Sequence, residues 1–231
     1  NPTDLFNVKS LIDPTDEKPG HEALRIDYPL SLSSNLLIIL DMEDSFVDPG
    51  FMLRYKTTVG HFDYSLSYCV RELPFNDFDS LHRILQTREM LGFDFAGEAF
   101  GVGLWFEGAY NWVDLDHDFA EWVVGMDYTW ENGFYLLLEY FHSDLAKGKS
   151  EEYDINSWMK YLSGETKALS KDNMYLFSSY PATDLLNVGL TILFSISDGS
   201  SALVPTIEYS FAENWYLEIY GGFNLGSAGT V

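Results

Sequence analysis

From residue 22 almost to its end, the chain alternates apolar and polar side chains one by one, in segment after segment. Successive side chains of an extended strand point to opposite faces, so a period of two marks a strand with one apolar and one polar face. Leu24, Ile26 and Tyr28 share a parity, against Arg25 and Asp27. Leu36, Ile38, Leu40 and Met42 oppose Asp41 and Glu43, and Phe51, Leu53, Tyr55 and Val59 oppose Arg54 and Lys56. Phe62, Tyr64, Leu66, Tyr68 and Val70 oppose Asp63, Ser65, Ser67 and Arg71. Leu91, Phe93 and Phe95 oppose Asp94 and Glu98, and Val102, Leu104, Phe106 and Tyr110 oppose Glu107 and Asn111. Trp122, Val124, Met126, Tyr128 and Trp130 oppose Glu121 and Asp127. Phe134, Leu136, Leu138 and Tyr140 oppose Glu139, although Tyr135 and Leu137 weaken the polar side. Met174 to Tyr180 is a poorer strand. Leu186 to Ile196 then sets its apolar parity against Asn187, Thr191 and Ser195. Leu203, Ile207, Tyr209 and Phe211 oppose Glu208, and Trp215, Leu217, Ile219 and Phe223 oppose Glu218.

These are about twelve strands, most near or above the ~9–11 residues that cross a bilayer when tilted. Strands of soluble domains usually run ~5–6 residues. No window offers the ~18 apolar residues of a membrane helix, and the longest aliphatic run is Leu36 to Leu40. A membrane reading therefore requires a closed barrel, because only a helix or a closed sheet satisfies its own backbone in lipid. Aromatic residues near the ends of the apolar faces (Phe51, Phe62, Tyr68, Trp122, Trp130, Phe134, Tyr140, Trp215) fit the girdles of such barrels. The competing reading is a soluble sandwich or lipocalin-like barrel whose apolar face is its core. It leaves the other face charged along nearly every strand.

The connections alternate in length. Leu30–Asn35, Gly60-His61, Gly101, Glu131-Asn132-Gly133, Pro181–Asp184 and Ala212-Glu213-Asn214 are short. Between them fall the longer Asp44–Gly50, Glu72–Glu89, Val113–Asp118, Ser143–Asn173 and Asp198–Ser201. Short turns on one side and longer loops on the other is the layout of outer-membrane barrels. The chain reads as one domain, residues 1–231, with a loop-like segment at 1–21 and a long extracellular loop at 143–173. In that loop Ile155, Trp158, Met159 and Leu162 predict a short helix before Gly164, its apolar stripe packed on the rim or turned into the lumen. Asp79 or Ser80 is placed to cap a second short helix carrying Leu81, Ile84 and Leu85.

Thirty-six acidic residues face 13 basic ones, a net charge of −23, which leaves no basic footprint for nucleic acid. At 46% hydrophobic the chain is still far from a disordered composition. Its one cysteine, Cys69, forms no intramolecular disulfide and reads as a half-polar filler. Asn1 to Gly20 is polar, so a secreted route implies a leader that was removed or omitted. Asp114, Asp116 and Asp118 lack the Gly and Glu of an EF-hand, since Phe119 and Gly125 stand at those positions. The five histidines show no zinc-like spacing, and no Ser/His/acid set falls on one wall, so neither a cofactor nor an enzymatic activity is expected.

The polar parity supplies the candidate pore-lining set: Arg25, Asp27, Asp41, Glu43, Arg54, Lys56, Asp63, Arg71, Asp94, Glu98, Glu107, Glu121, Asp127, Glu139, Glu208 and Glu218. Carboxylates around a water-filled lumen favour cations. The same residues also serve as hydrated groups tying the wall together through salt bridges. The bases come from early strands and the acids from all of them, which sets up a transverse field.

Asn1-Pro2-Thr3-Asp4-Leu5-Phe6-Asn7 resembles a segment of porin-like Gram-negative outer-membrane barrels, and Ser210-Phe211-Ala212-Glu213-Asn214-Trp215-Tyr216-Leu217 resembles their penultimate hairpin. The resemblance implies an all-β fold, an antiparallel up-and-down transmembrane β-barrel with short helices in its long loops. It also implies passive diffusion of small solutes, with outer-membrane lipid and lipopolysaccharide around the wall. The alternative is a barrel that sheathes or anchors a partner protein, such as an electron-transfer or assembly component; a homo-oligomer is a further expected association. Such barrels usually end on an aromatic residue, whereas this sequence ends Gly-Thr-Val. Twelve strands also put both ends on the long-loop side, so at least one further strand on each side, fourteen or more in all, is expected. The rival is a barrel of about twelve strands closing on itself.

Overall fold

The computed structural model describes residues 22–42, 50–77, 82–114, 117–162 and 166–227, with backbone alone at 73–77 and 82–85. Its strands are β1 (Ala23–Pro29), β2 (Ser34–Asp41), β3 (Gly50–Val59), β4 (Phe62–Asp77), β5 (His82–Ala99), β6 (Val102–Val113) and β7 (Phe119–Thr129). β8 (Tyr135–Ser143), the helix α1 (Ile155–Leu162), β9 (Asp172–Thr183), β10 (Leu186–Ser195), β11 (Ser201–Ala212), β12 (Trp215–Tyr220) and β13 (Phe223–Leu225) complete it. Each strand from β1 to β12 pairs with its sequence neighbours, every pairing is antiparallel, and the order is strictly sequential. The fold is an all-β, up-and-down antiparallel sheet. Among the described residues β1 and β12 stand at opposite ends of the strand order and do not pair, so the sheet is open. β13 also pairs with β11, after Gly221-Gly222 interrupt what the alternation presents as a single last strand.

The short turns show why they are short. At Phe100-Gly101 both central residues take positive φ, 55° and 76°, the conformation of a two-residue I′ hairpin that follows the twist of its strands. In the Gly60-His61 turn Gly60 alone takes positive φ, 64°, and Gly133 (φ 81°) closes the three-residue loop after β7.

The register keeps the two parities apart across the whole sheet. Ile26, Ile38, Leu53, Tyr68, Leu91 and Tyr110 form one cross-strand row, and Leu104, Met126, Leu138, Leu176, Ile192 and Leu203 another. Rings continue from Phe62 through Phe95, Phe106 and Trp122 to Tyr140 at centroid separations of 6.0, 6.1, 6.5 and 4.9 Å. Each such pair adds about 0.5–1.5 kcal/mol beyond area burial.

Two expectations need correction. Residues 82–85 are not helical: β4 and β5 run on as a ribbon, with Phe75 opposite Ile84 and Asp77 opposite His82. A helix of four or five residues cannot repay its nucleation, whereas an existing ladder gains backbone hydrogen bonds with every added pair. The proposed cap, Asp79 or Ser80, lies outside the described residues, as do Gly164 and the 1–21 segment. The α1 helix forms as expected, but its apolar stripe is not packed away: Ile155 is 75% exposed, and Trp158, Met159 and Leu162 are exposed beside it. Its opposite side, with Asn156, Ser157 and Lys160, lines a cavity of about 260 Å³ together with Lys147 and Thr166.

Candidate functional site

Burial follows strand parity, and the buried parity is the one that carries the charges. Every strand side chain that is buried, among those described, lies on the polar parity: Asp41, Met52, Ser65, Ser67, Cys69, Met90, Ala109, Asn111, Phe119, Glu121, Val123, Ser143 and Ser195. The apolar parity is open, with Ile26, Leu66, Phe93, Val124 and Met126 each 40–51% exposed. Along β7 the two patterns interleave residue by residue, from buried Phe119, Glu121, Val123 and Gly125 to exposed Val124 and Met126. No described element covers the apolar face. On β6 and β7 that face carries no Asp, Glu, Lys or Arg from Val102 to Trp112 or from Ala120 to Trp130. Ten steps of ~3.3 Å at a tilt of ~40° span about 25 Å, the height of the apolar band on a membrane barrel.

The polar face is where the sequence-predicted residues meet. Its bases are all engaged. Arg54 reaches across β4, with Nε donating to Ser65 Oγ at 2.9 Å and Nη2 to Asp94 at 3.0 Å. Lys56 pairs with Asp63 at 2.7 Å, Arg71 with Asp41 at 3.3 Å, and Arg25 with Asp27 at 2.7 Å. Across β6–β9 Glu139 and Asp127 take neutral donors, while Glu121 pairs with Lys167 at 2.7 Å. Trp105 Nε1 donates to Glu139 at 3.0 Å, and the Tyr135 hydroxyl donates to Asp127 at 2.9 Å. Glu208 stands directly opposite Glu218 in the β11–β12 register. Glu98 and Glu107 lie on the same face, Glu107 opposite Asp94, while Glu43 lies outside the described residues. The strand-to-strand ion pairs of the polar face thus lie on β1–β5, while from β6 onward its acids meet Trp105, Tyr135 and, from the connection after β8, Lys167.

No family model, curated protein or solved structure matches this chain. The face has to be read from its own chemistry.

Four participants escape the alternation argument. Arg88 is on the polar parity two residues before Met90; its Nε donates to Asn111 at 2.8 Å and its guanidinium lies 4.7 Å from the Phe119 ring centre. Extending the β5 parity back past Leu91 finds it. Lys167 comes from the 144–171 connection and reaches Glu121 at 2.7 Å, where Ser143 Oγ also donates at 2.9 Å. Nothing in the sequence marks that contact. Tyr135 reads there only as an apolar intrusion on the polar side, and Trp105 is not singled out by the alternation. The same connection is tied down by Tyr153, whose hydroxyl donates to Asp198 at 2.8 Å, and by Ser195, which donates to Ser170 at 2.6 Å. Burial, reinforced by Asp198, pushes the Tyr153 phenol up to about 12.

Proposed function

We propose that the sheet curls into a barrel in a Gram-negative outer membrane and lets small solutes diffuse passively, with cations preferred. One observation carries the reading: from β2 to β8 and on β10 every buried strand side chain among those described lies on the polar parity, while the apolar parity stays open. A soluble domain does the reverse, because burying apolar area is what drives its folding. In lipid the exposed face needs no cover, and the polar face becomes the wall of an aqueous lumen. In this reading the edges of β1 and β12 are taken up by further strands, or by each other, since unpaired backbone groups are not tolerated in hydrocarbon.

Cation preference follows from the uneven charge. Arg25, Arg54, Lys56 and Arg71 are matched by neighbouring acids. Of the later strands' acids, Glu139 and Asp127 accept from an indole and a phenol, Glu121 is paired with Lys167, and Glu208 faces Glu218 across the register. A water-filled passage bounded by that wall concentrates positive ions. Among the described residues no helix is long and apolar enough to cross a membrane, which leaves the strands as the spanning elements of this reading.

The test is reconstitution into planar lipid bilayers under a potassium chloride gradient. Discrete conductance steps with a reversal potential of cation-selective sign are expected. Inserted, folded protein that conducts nothing, or that selects chloride, sinks the proposal. The scaffold alternative draws on a different observation, the exposed stripe of α1 at the long-loop end, which offers a partner an apolar handhold. Co-purification of a stoichiometric partner in native detergent, together with absent conductance, would favour it.

A further inference from the structure

The polar face from β6 to β9 carries more aromatic surface than a hydrated wall requires. Trp105 stands on β6, Tyr135 on β8 and Phe177 on β9, all with the parity of Asp127 and Glu139. The Tyr135 and Phe177 rings are 6.0 Å apart, inclined at 59°. All five side chains are only half-buried, so they border the space over the face.

Two glycines cut the wall back beneath this group. A Cβ on Gly125 would lie 2.2 Å from Trp105 Cε2, and one on Gly103 would lie 2.0 Å from Asp127 Oδ1. Indole and carboxylate thus occupy ground that any other residue would take. The two carboxylates accept from Trp105 and Tyr135, neither of which brings a positive charge.

Ring and carboxylate together select among cations. A carboxylate attracts any of them, but a small inorganic ion keeps its water shell and gains little from a ring. An ammonium ion with apolar substituents is weakly hydrated, and it gains from ring faces and carboxylates at once. We infer that this β6–β9 surface is a binding site for organic ammonium solutes, amines or quaternary ammonium ions bearing an apolar group. The inference rests on the cation-preferring channel reading and names the class of solute that the channel would favour.

Benzyltrimethylammonium is the probe, and benzyl alcohol its neutral counterpart. In planar bilayers the cation is expected to reduce the potassium current at concentrations where the alcohol does nothing. Trp105→Leu and Glu139→Gln should each raise the half-blocking concentration about tenfold, measured against each variant's own potassium current. A potassium current indifferent to the probe, or blocked equally in both variants, overturns the site and leaves the channel standing. Tryptophan fluorescence of the protein in detergent micelles, titrated with the same probe, needs no conduction. A saturable change that Trp105→Leu abolishes and Glu139→Gln weakens is expected, and a response independent of both residues overturns the site. Heat-modifiable gel migration confirms that each variant is folded, Glu139→Gln being the milder change.

Discussion

Lys167, from the long connection between β8 and β9, places its Nζ 2.7 Å from Glu121 Oε2, a carboxylate almost fully buried on the polar face of β7. The connection is thereby fastened to the polar face of the sheet. Lys167→Ala leaves a buried carboxylate with Ser143 as its remaining partner. A loss on the order of 2 kcal/mol is expected in urea unfolding. Removing the charge as well, with Glu121→Gln, should recover part of that loss. A double variant as weak as the single one contradicts this role for the pair.

Along β7 the cost of a charge should alternate with residue parity. Val124→Arg puts a guanidinium in the middle of the exposed apolar face and should cost about 2–4 kcal/mol in lipid. Thr129→Arg lies on the polar parity near a turn and should cost well under half as much. Unfolding titrations in lipid vesicles measure both.

Gly125 is a test of close approach. Gly125→Ala drives a methyl to within 2.2 Å of the Trp105 ring, so the indole has to move off Glu139. Overpacking of this kind costs about 1–3 kcal/mol. A shifted Trp105 emission and a lower unfolding midpoint are the expected readouts, and Gly189→Ala, whose Cβ meets only ordinary contacts, is the control.

Acid should loosen the loop helix before it affects the sheet. Asp154 caps α1: its Oδ1 accepts from the Ser157 hydroxyl at 2.6 Å and from the Ser157 backbone N–H at 2.8 Å. Those bonds hold its pKa below the ordinary carboxylate value, the hydroxyl contributing most. Asp144 is likewise lowered, chiefly by Lys171. A carboxylate depressed in the folded state stabilises it above the unfolded pKa, and that contribution is lost as pH falls through the folded value. The window therefore opens below about pH 4. Protection at Ser157 and Trp158, taken relative to intrinsic exchange at the same pH, should fall as pH drops below about 4 in the native protein, and Asp154→Ala should lower it already at neutral pH.

Much of the architecture is legible in the alternation itself. Parity assigns Leu24 and Arg25, or Val124 and Asp127, to opposite faces without any coordinates, and glycine with its positive φ marks the turns at residues 60, 101 and 133. The 82–85 strand was hidden because a few apolar residues after a capping residue fit a helix as well as a ribbon, and only the ladder to β4 decides between them. The exposed stripe of α1 contradicts its expected burial because the helix turns its polar side to the cavity beneath. Within the site, parity places the carboxylates but cannot say who donates to them. Trp105 and Tyr135 act through an N–H and an O–H at the tip of an apolar body, a role that hydrophobic periodicity counts as error. Lys167 reaches Glu121 across 46 residues of sequence, which no local pattern records.

The most direct measurement is a spin-label scan of β7. Single cysteines at each position from Phe119 to Trp130, in a background lacking Cys69, are labelled and reconstituted into lipid vesicles. Collision with oxygen reports lipid, and collision with a water-soluble nickel chelate reports the lumen. The account requires a period of two, with oxygen access highest at residues 122, 124, 126 and 128 and nickel access in antiphase at 121, 123, 125 and 127. Oxygen and nickel profiles without that alternation, or with the apolar positions shielded from both, would contradict it.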